Sequence, residues 1–152
     1  MVLVLSPHHL VNHAGIALDD LYNLVKITDV RHRLIRNLSK GYKQRVGVAQ
    51  ALVGNPEVVI MDEPTVGLDP KQIIEIRKLI RELGRAHTVI LSSHILSEVQ
   101  AVCRQILILS KGHLAAAGSL EELTADGKSL EKVFLELTDG EPEEATGEEE
   151  AE

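Results

Sequence analysis

Three short apolar runs stand out along the chain, and each predicts a buried strand. They span residues 58–61, 89–91 and 106–109, and none of them alternates with polar residues. β-Branched and leucine-rich runs without such alternation are typical of strands that are covered on both faces. Helical patterns separate the runs, so strand and helix alternate along the chain. This order predicts an α/β fold built around a parallel, layered sheet.

The helix between the first two runs is the best defined of the predicted helices. Apolar residues recur along it at helical spacing, namely Ile73, Ile76, Ile80 and Leu83. Asp69 is a suitable N-cap, Pro70 fits the first helical position, and Gly84 can end the helix. Both ends of this helix are therefore defined by the sequence.

A second helix is predicted from about residue 40 to residue 53, just before the first run. Ser39 caps its start, and the Gly-Asn-Pro sequence that begins at Gly54 ends it. One face of this helix carries Tyr42, Val46, Ala49 and Val53. Shorter helices are expected at residues 18–25, 31–35, 120–123 and 130–137, and a last strand at 112–118. Residues 1–17 show no persuasive period.

Composition narrows the range of possible functions. A chain of 152 residues has room for one domain of ordinary size. Only 2% of the residues are aromatic, which argues against a platform that stacks nucleic-acid bases, so we expect no nucleic-acid partner. The single cysteine, Cys103, rules out an internal disulfide and suits a reducing compartment. The longest apolar run, residues 1–5, is far too short to span a membrane.

The net charge of −7 is concentrated at the end of the chain. From residue 139 onward there are eight acidic and no basic residues, whereas residues 1–138 carry about +1. We call residues 139–152 the acidic tail. Its only apolar residues apart from glycine and proline are two alanines, so it lacks the side chains to build a core, and we expect it to be disordered.

Two adjacent carboxylates, Asp62 and Glu63, follow the first apolar run directly. Open α/β sheets bind ligands at the carboxyl ends of their strands, which places both carboxylates where a ligand would lie. An apolar strand that ends in aspartate has the form of a Walker B element, where the aspartate holds Mg²⁺ and a following glutamate orients a water. On their own, these residues are equally well explained as the start of a polar turn.

Two more positions carry candidate phosphate chemistry. His94 follows the second run and so points to the same sheet edge, where an imidazole can bind a phosphate oxygen or position a water. Taken alone, a histidine there is more often a residue that starts a helix. Ser39, Lys40 and Gly41 open the helix at residue 40, where backbone N–H groups and the helix dipole attract anions. An ordinary serine cap in a basic stretch explains these three equally well.

These pieces occur in one order along the chain. Leu-Ser-Lys-Gly-Tyr stands at residues 38–42, Ile-Met-Asp-Glu-Pro-Thr at 60–65, Gly-Leu-Asp-Pro at 67–70 and Ser-His at 93–94. With this order and spacing, the chain closely resembles the ATP-binding subunits of ABC transporters from about residue 21 to residue 138. The resemblance implies a partial P-loop NTPase-type three-layer fold with a parallel sheet core and a piece of the ABC helical subdomain.

The resemblance also implies roles, cofactors and partners. Ser39, Lys40 and Gly41 fall in the signature motif, whose serine and second glycine would touch the γ-phosphate of a nucleotide held by a partner subunit. The other matches are the metal-binding Walker B aspartate (Asp62), the catalytic glutamate (Glu63), the D-loop aspartate of the dimer interface (Asp69) and the switch histidine (His94). The implied cofactors are ATP and Mg²⁺. The implied partners are a transmembrane permease and a second ATP-binding subunit in a head-to-tail dimer, on the cytoplasmic face of the cell membrane.

The chain departs from the family pattern in two ways. The signature usually reads Leu-Ser-Gly-Gly-Gln, and here Lys40 and Tyr42 replace its third and fifth residues, as in the branch that serves ABC-2-type export or gliding-motility permeases. The Gly-x-x-x-x-Gly-Lys-Ser/Thr motif of a P-loop does not occur in the chain, and residues 127–129 imitate only its end. Because a P-loop supplies most of the grip on the β- and γ-phosphates, we expect the isolated chain to bind MgATP weakly and not to hydrolyse it.

The missing P-loop also bears on the sheet. In the family, the P-loop strand lies between the strand that ends in the switch histidine and the next strand along the chain. We therefore expect the strands at residues 88–92 and 105–109 to lie apart or to pair directly, and in either case to expose apolar surface.

The predicted organisation has four parts: an atypical N-terminal segment (1–20), a helical subdomain remnant with the signature (21–56), an α/β core (57–138) and the acidic tail (139–152). The leading function is an ATP-hydrolysing ABC transporter subunit without its Walker A motif. A non-catalytic module that completes the nucleotide site of an intact partner is the alternative. A soluble ATPase of the same superfamily is disfavoured by the single cysteine and the lack of heptads. His8, His9 and His13 lack nearby ligands to complete a metal site.

Overall fold

The computed structural model describes residues 2–6 and 17–139 as a mixed α/β arrangement. The strands of the described part are β1 (Val2–Ser6), β2 (Val58–Asp62), β3 (Thr88–Ser93), β4 (Gln105–Ser110) and β5 (His113–Ser119). The helices are α1 (Leu18–Leu24), α2 (Lys40–Leu52), α3 (Pro70–Leu83), α4 (Leu96–Val102), α5 (Leu120–Leu123) and α6 (Leu130–Asp139). The predicted α/β fold is confirmed, and the predicted strands and long helices lie within a residue or two of their expected positions.

The strands form one five-stranded sheet in the order β2-β3-β1-β4-β5. β2 and β3 are parallel, and β1 is antiparallel to both β3 and β4, so β2, β3 and β4 all run in one direction. β5 is antiparallel to β4. The sheet therefore contains the three predicted parallel strands, with the antiparallel β1 between β3 and β4 and the antiparallel β5 at one edge.

The strands near residues 88–92 and 105–109 lie apart, which is one of the two arrangements expected, but no open gap separates them. β1 fills the position between them, with Val4 in register with Leu91 on one side and Ile106 on the other. The apolar run of residues 1–5 is a short continuous run without alternation, which is the pattern of a buried strand. This run was not predicted as a strand, because residues 1–17 show no persuasive period.

The β2 strand differs from its prediction in one respect. Val59 and Met61 are almost fully buried, but Val58 is 47% exposed and Ile60 is 70% exposed. The side chains of a strand alternate between the two faces of a sheet, so β2 is covered on one face and open on the other. An uninterrupted apolar run cannot reveal this difference, because it fits burial on either face.

The α2 helix is rotated relative to its predicted face. Its buried residues include Arg45, Val48 and Leu52, whereas Val53 is 64% exposed. Ala49 belongs to both the predicted and the observed face, so the two faces overlap and the rotation is smaller than the roughly 100° that one residue spans. Residues 31–35 were expected to be helical, but two single turns of 3₁₀ helix, Thr28–Val30 and Ile35–Asn37, stand on either side of them.

Both predicted helix caps are present. The Ser39 side chain accepts a hydrogen bond from the Tyr42 backbone N–H at the start of α2, and the Asp69 side chain accepts one from Gln72 at the start of α3. Pro70 occupies the first turn of α3, and Gly84 caps its end. Within the described ranges, none of the helices has the length and apolar character needed to cross a membrane. Residues 140–152 of the acidic tail and the three N-terminal histidines lie outside the described residues.

Candidate functional site

The parallel pairing of β2 and β3 brings the predicted site residues to one edge of the sheet. Asp62 and Ser92 are register partners, so both strands end side by side. The Ser92 hydroxyl donates a hydrogen bond to Asp62 Oδ1. The backbone N–H of Glu63 donates to the Ser92 carbonyl at 3.2 Å and to the Ser92 hydroxyl at 3.2 Å. Ser92 therefore fixes the position of both carboxylate residues.

Glu63 and His94 are in direct contact at this edge. Oε1 of Glu63 lies 2.7 Å from Nδ1 of His94. A carboxylate is only an acceptor, so Nδ1 carries a proton, and Nε2 is left to interact with a ligand. The His94 side chain is 69% exposed, and the Glu63 side chain is 30% exposed. The second carboxylate oxygen, Oε2, is buried and has no hydrogen-bond partner in the described part of the chain.

The backbone of Glu63 has an unusual conformation. Its φ is +44°, which lies in the left-handed region that side chains other than glycine and asparagine rarely adopt. Such a residue costs about 1–2 kcal/mol relative to ordinary backbone. The hydrogen bonds from its N–H to Ser92 hold it there, and strain of this kind is concentrated at functional positions.

The donors at this edge fit a magnesium ion that is only partly coordinated by protein. The Asp62 carboxylate is exposed at the end of its strand and offers hard oxygen ligands. The described residues contain no cluster of three or more histidine, cysteine or acidic side chains that could form a complete cage. Mg²⁺ usually keeps several waters and binds one or two carboxylates together with substrate phosphates, which agrees with this arrangement.

The residues of the predicted signature lie against the loop that leads into α3. A side chain at Gly41 would meet the Gln72 side chain, which lies 2.7 Å from the position that a Cβ would take. The ammonium group of Lys40 lies over Gly67, whose φ is +70°. A side chain at residue 41 would therefore displace the end of the flexible Gln72 side chain.

Ion pairs and hydrogen bonds tie the helical part of the chain to the rest. The buried Arg45 pairs with Glu75 of α3, and it also donates to the carbonyl of Val25 at 3.3 Å. The Tyr42 hydroxyl donates to Asp29 at 2.6 Å, and this hydrogen bond raises the pKa of Tyr42. A cleft of about 330 Å³ opens between these groups, beside the start of α2.

The structure therefore divides the predicted site residues into two groups. Asp62, Glu63 and His94 come together at the edge of the sheet. Ser39, Lys40 and Gly41 form the second group, which lies against Gly67 and the start of α3 that Asp69 caps. Among the hydrogen bonds and ion pairs of the described residues, none joins the two groups.

Two parts of the arrangement were missed by the sequence analysis. Ser92 was given no role beside Asp62, although a hydroxyl at the end of a strand parallel to β2 is a signal that the two side chains meet. Arg77 of α3 donates two hydrogen bonds of 2.6 Å each to Glu98 of α4. These two residues are far apart in sequence on different helices, so no spacing in the sequence reveals the pair.

Comparison with known proteins adds to this geometry. A family model described as ABC transporter matches residues 5–66. This match begins inside the N-terminal segment that was expected to be atypical. Among curated proteins, an uncharacterized ABC transporter ATP-binding protein of Synechocystis is 42% identical over 133 residues, which is 87% of this chain and 36% of that protein. The bacitracin transport ATP-binding protein of Bacillus licheniformis is 38% identical over 128 residues, or 82% of this chain and 40% of that protein.

A solved structure supports the same relationship. The ATP-binding subunit of an ABC transporter superimposes with a TM-score of 0.67 at 30% sequence identity, over 79% of this chain and 52% of that one. The chain spans between 31% and 49% of the length of the similar curated proteins.

Proposed function

This chain belongs to the family of ABC transporter ATP-binding subunits, and from that premise we propose that it takes part in ATP hydrolysis coupled to membrane transport. The contact between Glu63 Oε1 and His94 Nδ1, at 2.7 Å, is the observation that best supports this function. It joins an acid and an imidazole at the sheet edge where ligands of α/β folds bind. The similarity to a bacitracin transport ATP-binding protein supports a role in transport. The export branch and a place on a permease at the inner membrane face are part of the proposal.

Each residue of the sheet-edge group has a chemical task in this proposal. Asp62 would hold Mg²⁺, which supplies positive charge beside the transferred phosphoryl group. Glu63 would orient the attacking water through its carboxylate, which lies at the same sheet edge as Asp62. His94 keeps Glu63 in place through Nδ1 and, when protonated at both nitrogens, donates a hydrogen bond from Nε2 to a phosphate oxygen.

The second group of residues serves a nucleotide on a different subunit. Ser39 and Lys40 are exposed at the start of α2, where backbone N–H groups attract anions. The Lys40 ammonium lies over Gly67, and Asp69 caps the helix that begins just after it. The signature and the D-loop aspartate therefore lie on one surface. We propose that this surface faces a second ATP-binding subunit.

An alternative function is that the chain only completes the nucleotide site of an intact partner. Two observations favour it. The sequence contains no P-loop motif, and an antiparallel strand, β1, lies at the centre of the sheet between β3 and β4. In this case Ser39 and its neighbours are used, whereas Asp62, Glu63 and His94 turn over no nucleotide of their own.

A mixing experiment distinguishes the two functions. We expect the chain alone to bind MgATP weakly and to show no turnover above that of a Glu63→Gln variant. Mixed with the intact Synechocystis relative, it should form an ATP-dependent heterodimer in gel filtration, and Ser39→Ala should weaken this heterodimer. Ser119→Ala, which removes a serine cap remote from the signature, is the matched control and should leave it unchanged.

The effect of Glu63→Gln on the heterodimer separates the leading function from the alternative. If Glu63 is catalytic, the substitution lowers the turnover of the heterodimer severalfold. If the chain only completes the partner's site, turnover stays the same. Failure to form any ATP-dependent heterodimer would contradict both functions, and Glu63-dependent turnover by the chain alone would show that our expectation of inactivity is wrong.

A further inference from the structure

A cavity of about 380 Å³ lies between the C-terminal halves of α3 and α4, against one face of β3. We call it the basic cavity. Arginines line it at Arg81, Arg85 and Arg104, and its floor includes Val89 and Leu91. Val89 lies near the start of β3, and Arg104 immediately precedes β4. The basic cavity is therefore near the amino ends of the strands, away from the carboxyl ends where Asp62 and Glu63 lie.

The charge around the basic cavity is largely unbalanced. Arg81 donates a hydrogen bond of 2.5 Å to the carbonyl of Ala101. Arg85 and Arg104 form no ion pair with any residue in the described ranges. An adjoining groove of about 270 Å³ adds Lys78, with Glu82 as its only carboxylate. The cavity and groove together present four cations, one carboxylate and an apolar floor. The cations would bind the acidic groups of an anionic peptide, and the floor would contact small apolar residues between them.

The same protein contains a segment of this chemistry. The acidic tail carries eight carboxylates and no cation, and two alanines lie among them. It starts at the end of α6, a helix that packs against β4 and β5. One strand separates β4 from β3, so the basic cavity lies about 10 Å across the sheet from β4 at the usual strand spacing.

The length of the tail is sufficient for it to reach the cavity. Residues 140–152 extend to about 43 Å when fully stretched, which is several times the strand-to-strand separation. A tether of this length also gives a local concentration in the millimolar range, so weak charge pairing is enough for binding. We propose that residues 140–152 dock in the basic cavity of their own chain.

Paramagnetic NMR on the full chain tests this proposal. A nitroxide is attached to residue 151 in a Cys103→Ser/Ala151→Cys variant, and the amide signals of Gly84, Ala101 and Arg104 are followed. At about 25 mM NaCl we expect these signals to lose at least half of their intensity relative to the reduced label. At about 0.5 M NaCl the signals should recover, because salt at this concentration screens the attraction between exposed charges that are more than a few ångströms apart.

Matched variants assign the effect to the basic cavity. Arg85→Gln/Arg104→Gln should remove most of the broadening. Arg33→Gln/Lys43→Gln removes the same charge from exposed positions elsewhere and should preserve it. The salt series needs no substitution among the arginines, so it remains decisive if the double variant fails to fold.

Three results would overturn the proposal. The first is broadening that is unaffected by salt or equal in the two double variants. The second is broadening that appears only between a labelled and an unlabelled chain, which would mean that the tail of another copy docks. The third is the absence of broadening while millimolar inorganic phosphate shifts the same amides, which would mean that the cavity takes a small anion instead.

Discussion

Single residues hold the two carboxylates of the sheet edge in place. Ser92 donates to Asp62 through its hydroxyl and accepts from the Glu63 backbone at both of its oxygens. Those hydrogen bonds compensate for the left-handed backbone of Glu63, whose φ is +44°. The candidate site therefore depends on a serine that makes no obvious motif of its own.

Asp69 stabilises the fold through one hydrogen bond, whatever its role at a subunit interface. Its carboxylate accepts from the Gln72 N–H at 3.0 Å. We expect Asp69→Ala to lower the free energy of unfolding by about 1 kcal/mol, because an N-terminal donor of α3 loses its partner. Asp69→Asn keeps an acceptor oxygen and should retain most of this stability. Urea unfolding measures both, and equal losses in the two variants would show that the cap is not the cause.

Cys103 should react slowly in the folded chain. Burial raises the pKa of this thiol to about 12. At pH 8 the thiolate is then about a thousandfold scarcer than for a thiol of ordinary pKa, and its higher nucleophilicity offsets this about twentyfold. We expect alkylation by iodoacetamide to be about fifty times slower than in the same chain unfolded in urea. Similar rates in the two states would mean that the thiol is freely accessible.

At the scale of secondary structure, the long helices and most strands follow from local sequence. The caps at Ser39 and Asp69, the end at Gly84 and the apolar periodicity of α3 are all local features, and the structure has each of them. The face of α2 was predicted only in part, because Arg45 looks polar in sequence but is buried by its pairing with Glu75. Pairing of this kind joins distant residues and leaves no local pattern.

The bidentate pair between Arg77 and Glu98 joins α3 to α4 beside the candidate site. Glu98 is only 8% exposed at its side chain, and Arg77 is 28% exposed. We expect Arg77→Ala to cost about 2–4 kcal/mol of unfolding free energy, because it leaves a buried carboxylate without its partner. Arg77→Lys keeps the charge but cannot bind through two parallel N–H groups. Its unfolding free energy should lie between that of the unchanged protein and that of Arg77→Ala.

A double-mutant cycle checks the origin of this effect. Adding Glu98→Ala to Arg77→Ala should restore part of the lost stability, since the unpaired carboxylate is gone. Additive losses in thermal or urea unfolding would mean that the two side chains stabilise the protein independently of each other.

At the scale of the whole molecule, the central place of β1 is the main feature that the sequence did not predict. The α/β class, the parallel core strands and the meeting of Asp62, Glu63 and His94 at one edge could all be inferred from apolar runs and their ends. The pairing of residues 2–6 with β3 and β4 could not be inferred, because these strands lie far along the chain. An apolar run shows that a strand is buried but not which strands it pairs with.

A proline in β1 tests how much the sheet depends on this strand. Val4 lies in register with both Leu91 and Ile106. Val4→Pro removes a donor from the middle of the sheet and should cost about 3 kcal/mol or more, measured by urea unfolding. Ala145→Pro in the acidic tail introduces the same residue outside the described part of the chain and serves as the control. Equal stability of the two variants would show that β1 contributes little.

The place of β1 also determines when the sheet can form during synthesis. Residues 2–6 are synthesised well before their neighbours, residues 88–93 and 105–110. Contacts that span so much of the chain form slowly, because the entropy of closing a long loop is lost before the strand pairing contributes any stability. Until then the facing edges of β3 and β4 stay open to strands of other nascent chains. Yield in translation should therefore fall with the density of nascent chains and rise when chaperones are abundant.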